Sequence, residues 1–150
     1  MRISLSLVMG AFFLFSACGQ SEGTALAPFV ITGDTISAPL SETIASPIRG
    51  EQIFTERARG HCVLCHQVAS NDAPFQGNVG PDLSSVGARL TAGQIRLRIV
   101  DSSRINADTV MPPYYRNSGL NQVATEHVGT SVLKPEEIED LVAYLTGLKG

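Results

Sequence analysis

The sequence predicts an all-α domain with long loops, and three observations carry that reading. Segments 50–59, 91–100 and 135–148 each space their apolar residues at helical intervals. The stretches between them are rich in turn formers, as in Asn106-Ala107-Asp108, Pro112-Pro113 and Asn117-Ser118-Gly119. No strand-rich region and no internal repeat stands against them.

The elements follow in chain order. Residues 1–17, MRISLSLVMGAFFLFSA, have the layout of an export signal: Arg2 as the charged start, Ile3 to Phe15 as the apolar run, Ser16-Ala17 as a small-residue exit. The run is shorter than the roughly 17–25 apolar residues of a membrane anchor. Cleavage and an oxidising, periplasmic destination are therefore expected. Cys18 comes directly after, and Phe15-Ser16-Ala17-Cys18 resembles the lipobox of bacterial lipoproteins, whose cysteine is acylated and tethers the mature chain to a membrane. Phe15 stands where that motif usually has Leu. Ordinary cleavage a few residues later would instead discard Cys18.

Residues 18–48 are rich in Ser, Thr, Ala, Gly and Pro and have too little apolar surface to close a core. They are expected to form a flexible arm or lipoprotein tether, lying against a partner or their own domain. The folded unit is expected over residues 49–150.

Gly50 to Arg59 reads as a short helix ending at Gly60, with Ile53, Phe54 and Arg57 on one face and Phe54 as its core residue. A loop region follows from Gln67 to Leu90 and carries Gly80-Pro81-Asp82-Leu83. Thr91 opens the next helix, with Gln94 at the capping-box position. Ile95, Leu97, Ile99 and Val100 supply its apolar side, and Arg96 and Arg98 are expected to point elsewhere. The last helix runs from Pro135 to about Leu148. Pro135 suits the first helical position, Glu136 and Glu137 the N-terminus and Lys149 the C-terminus. Ile138, Leu141, Val142 and Leu145 make its buried stripe.

Composition removes some functions. Lys and Arg number 11 against 14 Asp and Glu, for a formal charge of -3, and the basic residues are scattered. No nucleic-acid surface is expected from them. A hydrophobic content of 43% argues against disorder throughout.

The chain has three Cys and three His, and four of these six residues lie in Gly60-His61-Cys62-Val63-Leu64-Cys65-His66. Cys62-Val63-Leu64-Cys65-His66 is C-x-x-C-H, the attachment signature of c-type haem. Two thiols on one helical turn can form thioethers to both vinyl groups of one macrocycle, and His66 can then place an imidazole nitrogen on the iron. A thioredoxin-like pair would need a strand in a βαβ setting. A zinc site would need two more soft ligands, and Cys18 and His127 are poorly placed for that. A Cys62–Cys65 disulfide leaves His66 unexplained. One covalently bound haem c is the expectation.

Met1 and Met9 would leave with the export signal, so Met111 is the methionine that remains. It sits in Asp108-Thr109-Val110-Met111-Pro112-Pro113, where the two prolines stiffen the following segment and suit a thioether held over a ring. Met111 is the candidate second axial ligand, with His127 as the alternative; His61 is too close to Cys62 to reach the opposite face. Metal-bound histidines usually donate their other ring N–H to a carbonyl or carboxylate. Pro81 offers such a carbonyl, and Leu83 would pack near the ring. With Cys62 and Cys65 consumed as thioethers, no nucleophile beyond Cys18 remains, and no catalytic residue is assigned.

Class I c-type cytochromes share this order of N-terminal helix, C-x-x-C-H, G-P-x-L loop, helix, Met-Pro loop and aromatic-bearing C-terminal helix. The chain is similar to them over residues 50–148. The resemblance implies the class I cytochrome c fold, the Pro81 carbonyl on His66, Met111 on the iron, and Phe54 against Tyr144 where the terminal helices cross. A narrower likeness lies in Gly80-Pro81-Asp82-Leu83-Ser84-Ser85-Val86-Gly87-Ala88-Arg89, in Arg98-Ile99-Val100-Asp101, and in Thr109-Val110-Met111-Pro112-Pro113-Tyr114-Tyr115-Arg116. Ile105-Asn106 and Val142-Ala143-Tyr144-Leu145 extend it.

These segments resemble SoxX, the small monohaem subunit of the SoxAX cytochrome of bacterial thiosulfate oxidation. The resemblance implies a SoxA-like partner, whose haem is the reaction centre at which thiosulfate is joined to a cysteine of the SoxYZ carrier. It also implies a small acceptor cytochrome that receives the electrons. In that reading this chain is a non-catalytic electron-transfer subunit; Tyr114 and Tyr115 either offer amphipathic interface surface near the haem edge or simply pack on the domain. The competing reading is a free-standing periplasmic cytochrome that serves a respiratory oxidase.

Overall fold

The computed structural model describes residues 26–150, so the expected export signal and Cys18 lie outside the described residues. Helix α1 spans Pro47–Thr55, starting earlier than the expected Gly50. The reason is local: Ser46 accepts the Arg49 N–H on its hydroxyl, and Pro47 occupies the first turn. The helix stops at Thr55, where Glu56 turns extended. Arg57 is therefore an exposed residue beyond the helix, not part of its inner face.

Helix α2, Val86–Arg89, is a single turn inside a region that reads as loop. Helix α3 spans Ala92–Asp101 behind the expected capping box: Thr91 Oγ1 accepts from the Gln94 N–H, and Gln94 Oε1 accepts from the Thr91 N–H at 2.9 Å. Helix α4 spans Pro135–Gly147, and Glu137 takes the Lys134 N–H at 2.9 Å at its start. Short 3-10 turns lie at Cys62–Leu64, Ser102–Arg104 and Thr125–His127. Among the described residues the only bridge pairing is the isolated one between Thr32 and Thr35.

Helices α1 and α4 cross closely, and Gly50 marks the crossing. A Cβ there would fall 2.0 Å from the Asp140 carbonyl oxygen, so no side chain is accommodated without separating the helices. Phe54 meets Tyr144 across the same interface with ring centroids 5.7 Å apart and planes tilted by 56°. Ile138, Leu141, Val142 and Leu145 are buried, as the stripe on α4 predicts.

Two expectations change. Arg96 is buried between α3 and α4, with Nε and Nη2 each 2.7 Å from a carboxylate oxygen of Glu139. Paired charges of this kind are tolerated in a core only when their hydrogen bonds are satisfied. The remaining capacity is met by the N-terminal arm: Arg96 Nη1 donates to the Ile36 carbonyl at 2.7 Å, and Glu139 Oε1 accepts from the Leu40 N–H at 3.0 Å. Ile36 is fully buried and Leu40 nearly so, so the core begins well before residue 49. The described part of the arm lies along its own domain as a strap.

Candidate functional site

A cavity of about 550 Å³ opens between the Cys62–His66 turn, the 79–83 loop, α3 and the 108–112 loop. The turn is entered through His61, which adopts a left-handed conformation at φ 54°. His66 N–H then closes on the Cys62 carbonyl at 2.9 Å, which brings Cys62, Cys65 and His66 to one wall. Among the described residues no disulfide joins Cys62 and Cys65, and no group of three or more His, Cys, Asp or Glu residues gathers to hold a metal ion. Burial pushes the Cys62 thiol up to about 12.

The 79–83 loop holds the imidazole. Nδ1 of His66 lies 2.8 Å from the Pro81 carbonyl oxygen. A carbonyl can only accept, so Nδ1 carries a proton, and in the neutral ring Nε2 is then the nitrogen with the free lone pair. Gly80 packs under the ring, where a Cβ would stand 2.3 Å from Cε1. Leu83 is drawn to the cavity wall by its N–H bond to the Gln67 carbonyl at 2.8 Å. Val86, Leu90, Ile95, Ile99 and Leu145 complete the apolar walls.

Met111 lines the same cavity from a distant part of the chain, with its N–H on Thr109 Oγ1 at 3.2 Å. The segment after it hangs from the end of α3: Tyr114 N–H donates to the Ile99 carbonyl and Tyr115 N–H to the Val100 carbonyl, both at 3.2 Å. Pro112 also lines the cavity. His127 is exposed and does not line it, whereas His61 does.

Tyr114 and Tyr115 are 8% and 2% exposed, so of the two expected roles the structure shows packing on the domain and not interface surface. Tyr114 forms part of the cavity wall, and its phenol is pushed well above the ordinary tyrosine range by burial. Tyr115 packs against Phe29 of the strap. Arg98 is a cavity residue that the sequence reading set aside; its Nη1 donates to the Gln94 carbonyl at 2.9 Å. Its spacing three residues beyond Ile95 is the signal that could have found it.

The residues present fit a haem. Apolar walls suit a flat macrocycle, the thiols of Cys62 and Cys65 stand beside them, and the His66 imidazole and Met111 thioether share the cavity.

The family model and a solved SoxXA chain agree with this chemistry. The Cytochrome c family model matches residues 48–149. No curated protein matches the chain. A chain in the crystal structure of SoxXA from P. pantotrophus is 30% identical with a TM-score of 0.73, over 85% of this chain and 99% of that one. The c-type cytochrome SorU from Sinorhizobium meliloti is 27% identical with a TM-score of 0.45, over 69% of this chain and 91% of that one. A c-type haem is the cofactor that the family assignment implies. The chain belongs to the cytochrome c family, and its all-α class I fold closely matches that of a SoxXA chain.

Proposed function

We propose that the chain carries one haem c joined as thioethers to Cys62 and Cys65, and that His66 and Met111 would hold its iron. It then serves as the electron-transfer subunit of a SoxAX-type cytochrome. The observation that carries the ligand assignment is the Pro81 carbonyl on Nδ1 of His66, which leaves Nε2 for iron beside a cavity that Met111 also lines.

The haem, when bound, supplies reversible one-electron exchange. The chain's own residues set the terms. His66 is oriented through Pro81, and such outer hydrogen bonds fix the tautomer and raise ligand basicity. Met111 would offer the iron a neutral thioether, a donor that favours the ferrous state and raises the potential. Leu83, Ile95, Ile99 and Leu145 line the cavity with apolar surface, which would limit water around a bound haem and so disfavour the extra ferric charge.

With Cys62 and Cys65 taken up as thioethers, no nucleophile for sulfur chemistry beyond Cys18 remains in this reading. The chain accepts electrons from a SoxA-like partner and passes them to a small acceptor cytochrome, while the SoxYZ carrier presents thiosulfate to the complex. The likeness to a SoxXA chain along 99% of that chain supports the partner. The export signal supports a periplasmic site of action, with Cys18 as a lipid tether where the FSAC segment is acylated. Among the described residues no helix is long and apolar enough to cross a membrane.

Extraction of the purified protein with acidic organic solvent tests the attachment: colour is expected to stay with the polypeptide, and colour lost to the solvent would refute the thioethers. Copurification tests the partner. A SoxA-like haem subunit is expected to accompany the chain, and a chain that never binds one would be a free-standing shuttle.

A further inference from the structure

We infer that the N-terminal strap, residues 26–40, is a positioning element for the Met111 loop and acts through Tyr115. The inference rests on the assignment of Met111 as an axial ligand. The strap lies outside the family model, which begins at residue 48, whereas the SoxXA likeness covers 85% of the chain, more than residues 48–149 supply. It is thus an addition to the common domain, and its contacts show where it acts.

Tyr115 is the meeting point. Its hydroxyl accepts from the Ala27 N–H at 2.8 Å, and its ring lies 6.2 Å from that of Phe29. Its backbone N–H is fixed to Val100 at the end of α3. Further along, the strap is fastened to the same helix by the Ile36 N–H on the Gly93 carbonyl at 3.1 Å and by Arg96 on the Ile36 carbonyl. Tyr115 is therefore held from α3 on its backbone side and from the strap at its hydroxyl.

Only three residues separate Tyr115 from Met111, and two of them are Pro112 and Pro113. Each proline has its φ locked, so the segment has little freedom to absorb a shift at Tyr115 without moving Met111. The contacts to Tyr115 come in addition to those that hold the strap on the helices. The Glu139–Leu40 and Arg96–Ile36 bonds already fasten it to the core.

Two mild substitutions separate these roles. Tyr115→Phe removes the acceptor for Ala27 and keeps the buried ring; Phe29→Ala removes the ring contact at a position already 36% exposed. Imidazole is titrated into the purified ferric holoprotein, and the near-infrared sulfur-to-iron band is followed. Each variant is expected to bind imidazole about fivefold more tightly than the wild type, the scale of one neutral hydrogen bond for Tyr115→Phe and of one aromatic pair for Phe29→Ala, with a weakened band. Met111→Ala, measured alongside, is expected to bind imidazole more tightly still. An unchanged affinity in Met111→Ala would overturn the ligand assignment and the strap's role with it. A raised affinity in Met111→Ala with wild-type values in both strap variants would overturn the strap's role alone, even if their melting temperatures fell.

Discussion

The carbonyl of Pro81 receives Nδ1 of His66 at 2.8 Å, so the imidazole is aimed by backbone rather than by another side chain. Substitution of Pro81 leaves that carbonyl in place. The sensitive neighbour is Gly80, where a new Cβ would stand 2.3 Å from Cε1 and 2.6 Å from Nδ1 of the ring. Gly80→Ala is expected to push His66 off its acceptor and to lower the yield of low-spin haem protein. Absorption spectra of variant and wild type, normalised to protein, give the comparison. A variant with unchanged spectra and yield would show that the ring has room to move.

Met111 is the ligand expected to set the potential. Replacing a thioether by an open position or water removes the preference for ferrous iron. Met111→Ala is expected to lower the midpoint by on the order of 100 mV, within the range that axial ligands span. Spectroelectrochemical titration reads the shift directly. An unchanged midpoint, with the near-infrared band retained, would assign the ligand elsewhere.

Much of this site was legible in the sequence because its chemistry is local. Cys62, Cys65 and His66 sit within one turn, and Thr91 with Gln94 forms a cap that needs no distant partner. The stripe of Ile138, Leu141, Val142 and Leu145 is periodic, and periodicity survives without knowledge of the fold. The strap was not legible as core. Ile36 and Leu40 are isolated apolar residues in a polar segment, and what buries them is a fit against α3 and α4. Arg96 misled for a related reason. A charge in a helix normally faces water, and its partner Glu139 lies on a helix far along the chain. Tyr115 could be read as surface because its partners, Ala27 and Phe29, belong to that same unrecognised strap.

The buried Arg96–Glu139 pair carries a stability expectation. Glu139→Gln leaves the guanidinium in the core without a counter-charge, a change that typically costs about 3–5 kcal/mol. Denaturant unfolding of the holoprotein is expected to show a loss of this size. A loss under about 1 kcal/mol would mean that water reaches Arg96 and the pair is not sealed.

Asp101, at the end of α3, gives a pH dependence. Burial would raise its pKa, but hydrogen bonds from Ser103 and the charges of Arg116 and Arg104 outweigh it and hold the carboxyl below the ordinary range. A depressed folded value means that the stabilisation is full above the unfolded pKa of about 3.9 and is lost as pH falls through the lower folded value. Asp101→Asn is expected to lower the melting temperature at neutral pH and to flatten its fall below about pH 4. Parallel acid limbs for variant and wild type would remove Asp101 from the account.

The role in electron transfer is tested most directly by following the absorbance of this chain's haem while thiosulfate is added to purified components. With thiosulfate and the SoxYZ carrier alone, the haem is expected to stay oxidised and the carrier unmodified. On addition of a SoxA-like partner, the haem is expected to become reduced as the carrier cysteine is modified. Turnover of thiosulfate onto the carrier by this chain without a second haem protein would contradict the account.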